Sequence, residues 1–383
     1  MNTLRLAGDK IIMGEDAVGS LAELQGERAF IVTSGAFARE SGQLALLLTA
    51  LDKASMAAEV FEDVEPDPEF SSVKAGAKRM QDFQPDWIIA LGGGSAMDAA
   101  KGMWVLYEHP ELDTLEKLVA PNAFTTIRKK AQLICIPTTS GTGSEVSKGA
   151  VISDKARNLK LVVRSDILIP DIAVLDPVFT VGMPFSLTAH SGFDALTHAV
   201  EAYVSKRANP MSDVIAESTI LGIFDVLPKI LKDPQNKELR LRMHVYSTSA
   251  GVAFTNSGLG VVHSIAHAFG AIYHIPHGLA NAIALPYVLR EHNKFAPAGV
   301  KLQRLANLLG EDNLISAIEK MAAECQIPSA MMDAVKEKDT FDSMFSNLVE
   351  KSLADGCNLG NPYEVDRTLA ETLIKDVYFG MKA

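Results

Sequence analysis

The fold prediction starts from residues 86–104, DWIIALGGGSAMDAAKGMW. An apolar run, three glycines (92–94) and an amphipathic segment follow one another, as in a buried strand, a tight turn and a helix. Ser95 and Asp98 predict an N-cap with a partner like that of a capping box. A helix N-terminus beside unobstructed backbone N–H groups binds phosphate oxygens. Because Met97 replaces the third glycine of the GxGxxG fingerprint, a turn that needs glycine for its backbone angles is the competing interpretation.

The same alternation of strand and helix extends along the first half of the chain. Short β-branched runs predict strands, and amphipathic segments between them predict helices. This alternation predicts a mostly parallel sheet with helices on both faces. The predicted strands are 28–34, 58–64, 86–92 and 132–138, and the predicted helices include 70–83 and 95–109.

The predicted secondary structure changes near residue 184. Before that point, GAVISDK and LKLVVRS flank the turn-like ARN (156–158) and predict a hairpin appended to the sheet. After it, helical spacing dominates and strand-like runs vanish. We therefore expect an α/β domain over 1–183 and an all-helical domain over 184–383.

A second candidate nucleotide loop follows the predicted strand 132–138. In ICIPTTSGTGSEVS, residues 134–147, the strand stops at Pro137 and hydroxyl side chains crowd a glycine-containing turn. Such a turn can hydrogen-bond a ribose or a pyrophosphate, although an ordinary Ser/Thr-rich loop is the alternative. Open α/β sheets bind nucleotides at loops of this kind, at the carboxyl ends of their strands. The hydroxyl residues are Thr138, Thr139, Ser140, Thr142 and Ser144.

Histidines are concentrated in the second half. Four of the nine lie between positions 263 and 277, in the apolar run GLGVVHSIAHAFGAIYHIPHG. A charged or unpaired imidazole is costly in apolar surroundings, and neutral imidazole is the commonest metal ligand. His263 and His267 are four residues apart, so on a helix they share one face.

An acidic residue completes the candidate metal site. Asp194 and His198 have the same spacing of four in SGFDALTHAVEAY, and His277 follows a turn with Pro276 and Gly278 on either side. One carboxylate with several imidazoles favours a divalent transition ion over a calcium-type oxygen cage. It does not choose between iron, zinc, nickel, cobalt and manganese. We assign no role to His190 or His274.

Composition excludes several classes of protein. The chain has 383 residues, of which 48% are hydrophobic and 22% charged, as in a globular protein with a large core. A net charge of −11 argues against a nucleic-acid binder. The sequence shows neither a secretory signal nor an apolar run of membrane-span length. Three scattered cysteines, Cys135, Cys325 and Cys357, indicate reduced thiols, so we expect a cytoplasmic protein.

The motifs together resemble those of the iron-dependent (group III) alcohol dehydrogenases, over essentially the whole chain. The segment FQPDWIIALGGGSAMDAAKGMWVLYEHPE is especially similar to butanol and other short-chain alcohol dehydrogenases of fermentative bacteria. The segments that carry the resemblance are GGGSAMDAAK (92–101), PTTSGTGSE (137–145), LTAHSGFDALTHAVEAYVS (187–205) and GLGVVHSIAHAFGAIYHIPHGLANAIALP (258–286).

The resemblance implies a fold and a set of site residues. The fold is a Rossmann-like dinucleotide-binding domain followed by an all-α domain, as in dehydroquinate synthase, with the metal in the cleft between them. His267 corresponds to a histidine near the nicotinamide that relays protons. Phe254 and the surroundings of Cys357 are substrate-pocket candidates. The implied metal ligands are Asp194, His198, His263 and His277, and the cofactor-binding residues are Ser34, Asp67, Gly93, Gly94, Ser95, Asp98, Thr138, Thr139, Thr142 and Lys160.

One departure from the family pattern bears on the cofactor. Many NAD-preferring members carry an aspartate after the first strand of the nucleotide fold, where this chain has Ser34 and Gly35. Arg39 lies one helical turn further on. Without a carboxylate to repel a 2′-phosphate, NADP(H) becomes as acceptable as NAD(H), with a slight preference for NADP(H).

The resemblance implies a metal-dependent oxidoreductase that transfers hydride between NAD(P)(H) and a short-chain primary alcohol or aldehyde. Iron(II) is the expected ion, with zinc, nickel or manganese as substitutes. A polyol or diol dehydrogenase of the glycerol or 1,3-propanediol type is the alternative. A sugar-phosphate cyclase is disfavoured because residues 250–286 contain no Lys or Arg. A metal-binding assembly protein would leave both nucleotide loops unexplained. Since the chain matches only the alcohol half of the family's fused, filament-forming enzymes, we expect a homodimer or higher homo-oligomer.

Overall fold

The computed structural model describes residues 4–155, 157, 159–336 and 340–381. They form two compact units, of which the first ends at Gly182 and the second begins at Met183.

The first unit is built on a six-stranded parallel sheet in the order β1-β8-β5-β4-β2-β3, with a separate two-stranded antiparallel hairpin of β6 and β7. The predicted strands and hairpin are present, and Ala156 and Asn158 of the predicted turn lie outside the described residues. The strands are β1 (Lys10–Met13), β2 (Arg28–Val32), β3 (Ala57–Phe61), β4 (Trp87–Gly92), β5 (Gln132–Pro137), β6 (Gly149–Asp154), β7 (Leu159–Arg164) and β8 (Ile172–Leu175).

Two sheet strands were absent from the sequence prediction. Both β1 and β8 have only four residues, which is too short to display a periodic pattern. β1 is also an edge strand, and three of its four residues are exposed. Strands of this kind become recognisable only through their pairing with each other and with β5.

The central strands are continuously apolar because both faces of the sheet are covered. In β4, Ile88 and Ala90 pack into one core while Ile89 and Leu91 pack into the other. A strand buried on both sides loses the polar–apolar alternation of a half-exposed strand. The helices of this unit are α1 (Phe37–Glu40), α2 (Gln43–Lys53), α3 (Phe70–Phe83), α4 (Gly94–Glu108) and α5 (Leu115–Val119).

The second unit contains helices and no β-strand among its described residues, as predicted for this half of the chain. The helices pack around one large apolar core. No described helix combines the length and apolarity needed to span a bilayer. The helices are α6 (Phe185–Val204), α7 (Pro210–Lys232), α8 (Lys237–Ser257), α9 (Val261–Tyr273), α10 (His277–Lys294), α11 (Ala296–Leu309), α12 (Leu314–Glu324), α13 (Phe341–Ala354) and α14 (Arg367–Phe379).

Candidate functional site

Three helices of the second unit bring the predicted metal ligands together. Asp194 and His198 lie one turn apart on α6, His263 lies in the first turn of α9, and His277 is the first residue of α10. One ligand atom from each lies within 4.8 Å of those of the other three. Residues that are up to 83 positions apart in sequence therefore converge on one point.

A glycine allows the third helix to approach the first. A Cβ atom built at Gly278 would lie 2.3 Å from the backbone oxygen of His190, which no side chain could tolerate. Glycine at this position lets the N-terminus of α10 rest on the backbone of α6. The approach places His277 Nε2 3.4 Å from Asp194 Oδ1.

Burial of the cluster is uneven. Asp194, His198 and His263 are almost completely buried, whereas the side chain of His277 is 40% exposed. The cluster is therefore reached from the His277 side, and its other walls exclude water.

The protonation states suit metal binding. Burial lowers the pKa of His263 well below its usual value, so this imidazole is neutral. Burial acts to raise the pKa of Asp194, but the neighbouring imidazoles, with a hydrogen bond from Asn281, outweigh it, and the pKa is lowered. A neutral imidazole and an ionised carboxylate are the forms that coordinate a cation.

The donor set fits a divalent transition ion. Ligand atoms at about 2.0–2.2 Å from a common ion lie up to roughly 4.4 Å apart, close to the spread seen here. Asn281, buried on α10, points its amide into the cluster: its Nδ2 lies 2.8 Å from Asp194 Oδ1, 3.2 Å from His263 Nε2 and 3.1 Å from His277 Nε2. Its Oδ1 is buried with no hydrogen-bond partner among the described residues.

A buried glutamate contacts the far side of one ligand. Glu201 Oε2 lies 2.6 Å from His263 Nδ1, and its Oε1 accepts a 2.7 Å hydrogen bond from the backbone N–H of Val262. Burial raises the pKa of Glu201 to about 7, against hydrogen bonds that favour the carboxylate. Since Nδ1 faces Glu201, the opposite nitrogen of His263 faces the cluster.

His267 lies beside the four ligands but has its own partner. Its ring stacks on that of His277 with centroids 5.1 Å apart. Its Nδ1 lies 2.8 Å from Asp355 Oδ2, and Asp355 Oδ1 accepts a 2.8 Å hydrogen bond from the backbone N–H of Cys357. Despite burial, these contacts hold the pKa of Asp355 below its usual range. This carboxylate fixes the orientation of His267 and leaves its Nε2 for another contact.

The three other residues that the sequence analysis named in this region are Phe254, His190 and His274. The Phe254 ring lies 4.6 Å from that of His198, so this residue forms part of the cluster wall. His190 lies one turn before Asp194 on α6, and burial lowers its pKa. His274 ends α9 in a left-handed conformation with φ of 55° and is exposed.

In the first unit, the glycine turn (residues 92–94) meets the threonine loop (residues 138–147). The Thr138 N–H donates to the carbonyl of Gly92 at 3.0 Å, in continuation of the β4–β5 pairing. A Cβ atom at Gly93 would lie 3.4 Å from Thr139 Oγ1, and one at Gly94 would lie 3.1 Å from Thr142 Cγ2. Residues 92–94 are absent from the glycines with positive φ, so space rather than backbone angle explains them.

The predicted cap of α4 is wrong. The N-cap is Gly93, not Ser95, and no side chain caps the helix. Asp98 does not form the predicted capping-box hydrogen bond with Ser95, because its carboxylate accepts hydrogen bonds from Ser144 Oγ at 2.8 Å and from the Val151 N–H at 2.9 Å. The first N–H groups of α4 are therefore left without a side-chain cap, which is the arrangement that suits an anionic ligand. The carboxylate of Asp98 supports the loop through Ser144, and its contact with the cofactor stays a prediction.

Lys101 connects α4 to the threonine loop through hydrogen bonds. It is fully buried, and its Nζ lies within 2.7–3.2 Å of backbone and hydroxyl oxygens of Ser144 and Ser147 and 2.9 Å from the Gly149 carbonyl. Burial lowers the pKa of its ammonium group, whereas the charge of Asp98 acts to raise it. This cation gathers the backbone carbonyls of the loop and thereby shapes the predicted nucleotide site.

We expect Lys101→Met to destabilise the first unit by about 3 kcal/mol, since it leaves several buried oxygens without a donor. Both tryptophans, Trp87 and Trp104, lie in this unit, so urea unfolding followed by tryptophan fluorescence reports on it directly. Lys78→Met, at an exposed position on α3, is the control and should change stability by no more than about 0.5 kcal/mol. An equal effect of both substitutions would contradict the role given to Lys101.

The predicted ribose position contains an ion pair that the sequence did not reveal. Ser34 lies just beyond β2, and its Oγ is buried with no hydrogen-bond partner among the described residues. Arg39 forms two contacts with Glu62, at 3.0 and 3.1 Å, and Glu62 follows β3 directly. A carboxylate is therefore present near this position after all, just beyond the neighbouring strand β3, and Arg39 already neutralises it.

The last two predicted cofactor residues pair with each other. Lys160 Nζ lies 2.7 Å from Asp67 Oδ2, and both side chains are substantially exposed. Asp67 adopts a left-handed backbone conformation with φ of 56°. An exposed pair of this kind contributes little stability, so both groups can exchange their partner for a ligand.

Sequence reasoning missed Glu201, Asn281, Asp355 and Lys101. Two of them carried a usable signal. Glu201 follows His198 by three residues and Asn281 follows His277 by four, spacings that place each beside a predicted ligand on its helix. Asp355 had no such signal, because it contacts His267 from 88 residues away.

Comparison with known proteins identifies the family of this chain. Residues 8–177 match the family model of iron-containing alcohol dehydrogenase, and residues 188–378 match its C-terminal family model. The chain is 37% identical over 377 residues to the NADPH-dependent butanol dehydrogenase of Clostridium saccharobutylicum, covering 97% of this chain and 96% of the relative. It is 35% identical over 380 residues to a 1-propanol dehydrogenase of Citrobacter freundii, covering 96% and 98%.

A solved structure gives the same result. That of a 1,3-propanediol oxidoreductase superposes with a TM-score of 0.90 and 31% identity, covering 99% of this chain and 100% of the other. The predicted fold class and the family resemblance are confirmed. With matches to both family models and a relative of this identity over nearly its full length, the chain belongs to the iron-containing alcohol dehydrogenase family and is an oxidoreductase.

Proposed function

We propose that Asp194, His198, His263 and His277 hold a divalent iron ion and that the enzyme interconverts a short-chain primary alcohol and its aldehyde with NAD(P)(H). The observation that carries this proposal is the convergence of one carboxylate and three imidazoles within 4.8 Å of one another. One carboxylate and three imidazoles that converge on one point are a set of ligands typical of a divalent transition ion.

The metal would act as a Lewis acid that polarises the substrate oxygen, and the nicotinamide would exchange a hydride with the adjacent carbon. The chain's own part is to position these groups. Asp194 and His263 are held by Asn281 and Glu201, so they present fixed ligand atoms. The half-exposed His277 marks the side on which substrate enters, and Phe254 packs against the wall of the pocket.

His267 is the residue we propose to move the proton. Asp355 holds its Nδ1, and its ring lies against that of His277. An imidazole in this position can take the proton of the alcohol during oxidation and return it during aldehyde reduction. Asp355 stabilises the imidazolium form that this transfer creates.

The nucleotide pyrophosphate is proposed to bind at Gly93, Gly94 and Ser95, where α4 begins. The absence of a side-chain cap and the packing of Thr139 and Thr142 against the glycines support this placement. Thr138, Lys160 and Asp67 are proposed to contact the rest of the cofactor. Ser34 is proposed to lie near the adenosine ribose, because β2 is the neighbour of β4 in the sheet.

NADP(H) is the proposed cofactor, and the name of the Clostridium relative, an NADPH-dependent enzyme, favours the same choice. Arg39 lies beyond β2 with its guanidinium on Glu62 and is well exposed. We expect Arg39→Ala to weaken NADPH binding by about 10–100-fold, the value of one or two hydrogen bonds to a charged phosphate, and to leave NADH binding unchanged.

Nucleotide fluorescence titration measures both affinities, and Lys53→Ala, at an exposed position on α2, is the control for a lost positive charge. If Arg39→Ala weakens NADH and NADPH equally, Arg39 does not face the 2′-phosphate. Arg39 is a sharper test than Ser34, because a carboxylate at Ser34 would be buried.

An anaerobic activity screen tests the proposed reaction. The protein is loaded with Fe, Zn, Ni or Mn and assayed with C2–C6 primary alcohols, diols and aldehydes with both cofactors. We expect the highest kcat/KM for a primary alcohol–aldehyde pair. A clear preference for diols would favour the second candidate, suggested by the similarity to a 1,3-propanediol oxidoreductase. Failure to bind either nucleotide in equilibrium dialysis would overturn the proposed hydride transfer with NAD(P)(H).

Two further predictions concern the oligomeric state of the protein and its location in the cell. Assembly as a homodimer or higher homo-oligomer is checked by sedimentation velocity on the purified protein. A cytoplasmic location is checked by fractionation of the source cells.

A further inference from the structure

We propose that Glu201 is a positioning residue for His263 and that its carboxylate sets the affinity of the metal site. This inference rests on the proposed function, because it takes His263 to be a ligand. It assigns a role to a residue that would not itself touch metal, cofactor or substrate.

The geometry places Glu201 behind the ligand. It lies three residues after His198 on α6 and is 1% exposed. Its two oxygens reach two consecutive residues in the first turn of α9: Oε1 accepts from the Val262 N–H at 2.7 Å, and Oε2 lies 2.6 Å from His263 Nδ1. One side chain thus holds both the backbone that carries the ligand and the ring itself.

The contact fixes which nitrogen of His263 is available. A carboxylate at Nδ1 favours the tautomer with hydrogen on Nδ1, which leaves the Nε2 lone pair for the metal. Nε2 already faces the cluster, 3.2 Å from Asn281 Nδ2. Without Glu201, the ring could rotate or change tautomer, and a donor N–H would then face the ion.

The charge of Glu201 affects metal affinity in addition to its effect on the orientation of the His263 ring. An anion on the far nitrogen makes the imidazole a more basic ligand. A cation at the cluster favours the ionised form of Glu201, and the carboxylate then attracts the cation across one ring in surroundings of low dielectric. Both effects raise affinity for a divalent ion, and neither requires Glu201 to contact it.

Glutamine cannot replace this residue. Glu201 accepts hydrogen bonds at both oxygens, whereas a glutamine side chain has one oxygen acceptor and one N–H₂ donor. In Glu201→Gln, either His263 Nδ1–H or the Val262 N–H must face a donor. This substitution therefore tests position and charge with almost no change in volume.

The chain provides a matched control. Asp355 makes the same kind of contact, 2.8 Å to Nδ1 of His267, which the proposal does not count as a ligand. Asp355→Asn removes the charge from a second carboxylate–imidazole pair in the same helical unit. Its effect on metal affinity should be absent even where its effect on turnover is large.

The experiment measures the Kd for Co²⁺ and Zn²⁺ in the full-length metal-free protein, by competition with a chromophoric chelator at one fixed pH. We expect Glu201→Gln to weaken both affinities by about 10–100-fold and to alter the visible spectrum of the Co²⁺ form. We expect Asp355→Asn to keep both Kd values within about twofold of wild type, because its carboxylate contacts His267, which is not one of the four proposed ligands.

Each result has one meaning. Wild-type protein that binds neither ion overturns the proposed function itself. Wild-type binding with an unchanged Kd in a folded Glu201→Gln variant overturns only the role of Glu201, as does an equal loss in Asp355→Asn. If Glu201→Gln does not fold, Glu201→Asp keeps the charge but shortens its reach, and metal affinity equal to wild type in that variant also overturns the inference.

Discussion

Asp194→Ala is expected to lose metal and activity together. Asp194 is the only carboxylate in the cluster of four, so the variant presents three imidazoles and no carboxylate to a divalent cation. Lewis-acid polarisation accounts for several kcal/mol of transition-state stabilisation, so kcat/KM should fall by about 10³-fold or more. Elemental analysis after dialysis gives the metal content, and an assay in the presence of Fe²⁺ gives the activity.

Thermal unfolding provides a second measurement for the same variant. A ligand at 100 times its Kd stabilises the folded protein by about 2.7 kcal/mol, so added metal should raise the Tm of wild type but not of Asp194→Ala. His244→Gln is the control, because His244 is buried on α8 in the same unit but outside the cluster. It should keep the metal-dependent rise in Tm. A metal-free Asp194→Ala protein with full activity would refute the site.

In contrast to Asp194→Ala, His267→Ala should retain the metal, although its turnover should fall. Losing a positioned acid–base group typically costs about 10²–10⁴-fold in rate, and we expect kcat to fall within this range. The pH dependence of kcat should also change, because another group or water must then carry the proton. Metal content by elemental analysis and a kcat–pH profile with a primary alcohol are the two measurements.

His274→Asn is the matched control for the same helix. His274 is exposed and left-handed at the end of α9, a conformation that asparagine tolerates better than most residues. This variant should keep both metal and turnover. Loss of metal in His267→Ala would show that His267 is a ligand, and unchanged turnover would exclude it as the proton carrier.

The four-residue spacings led to the correct neighbours in space. Asp194 with His198, and His263 with His267, are local pairs, and a helix forces residues four apart onto one face. The apolar context also predicted the burial of Asp194, His198 and His263. Reasoning from spacing failed at Ser95 and Asp98, because residues three apart at a helix start need not form a capping box. Asp98 turned instead to Ser144 and Val151, which lie 46 and 53 residues away.

The alternation of strand and helix, the change to an all-helical half, the family and the candidate ligands can all be predicted from the sequence. These features depend on periodicity and local spacing, which every segment carries within itself. The polar groups that complete the sites emerge only from the folded chain: Glu201 behind His263, Asp355 behind His267, Lys101 at the threonine loop and Glu62 on Arg39. Three of these contacts join residues more than 40 positions apart, and all four form between separate elements or loops. Long-range contacts arise because the packing of apolar faces fixes where the elements meet, and a buried polar group must then find its partner there.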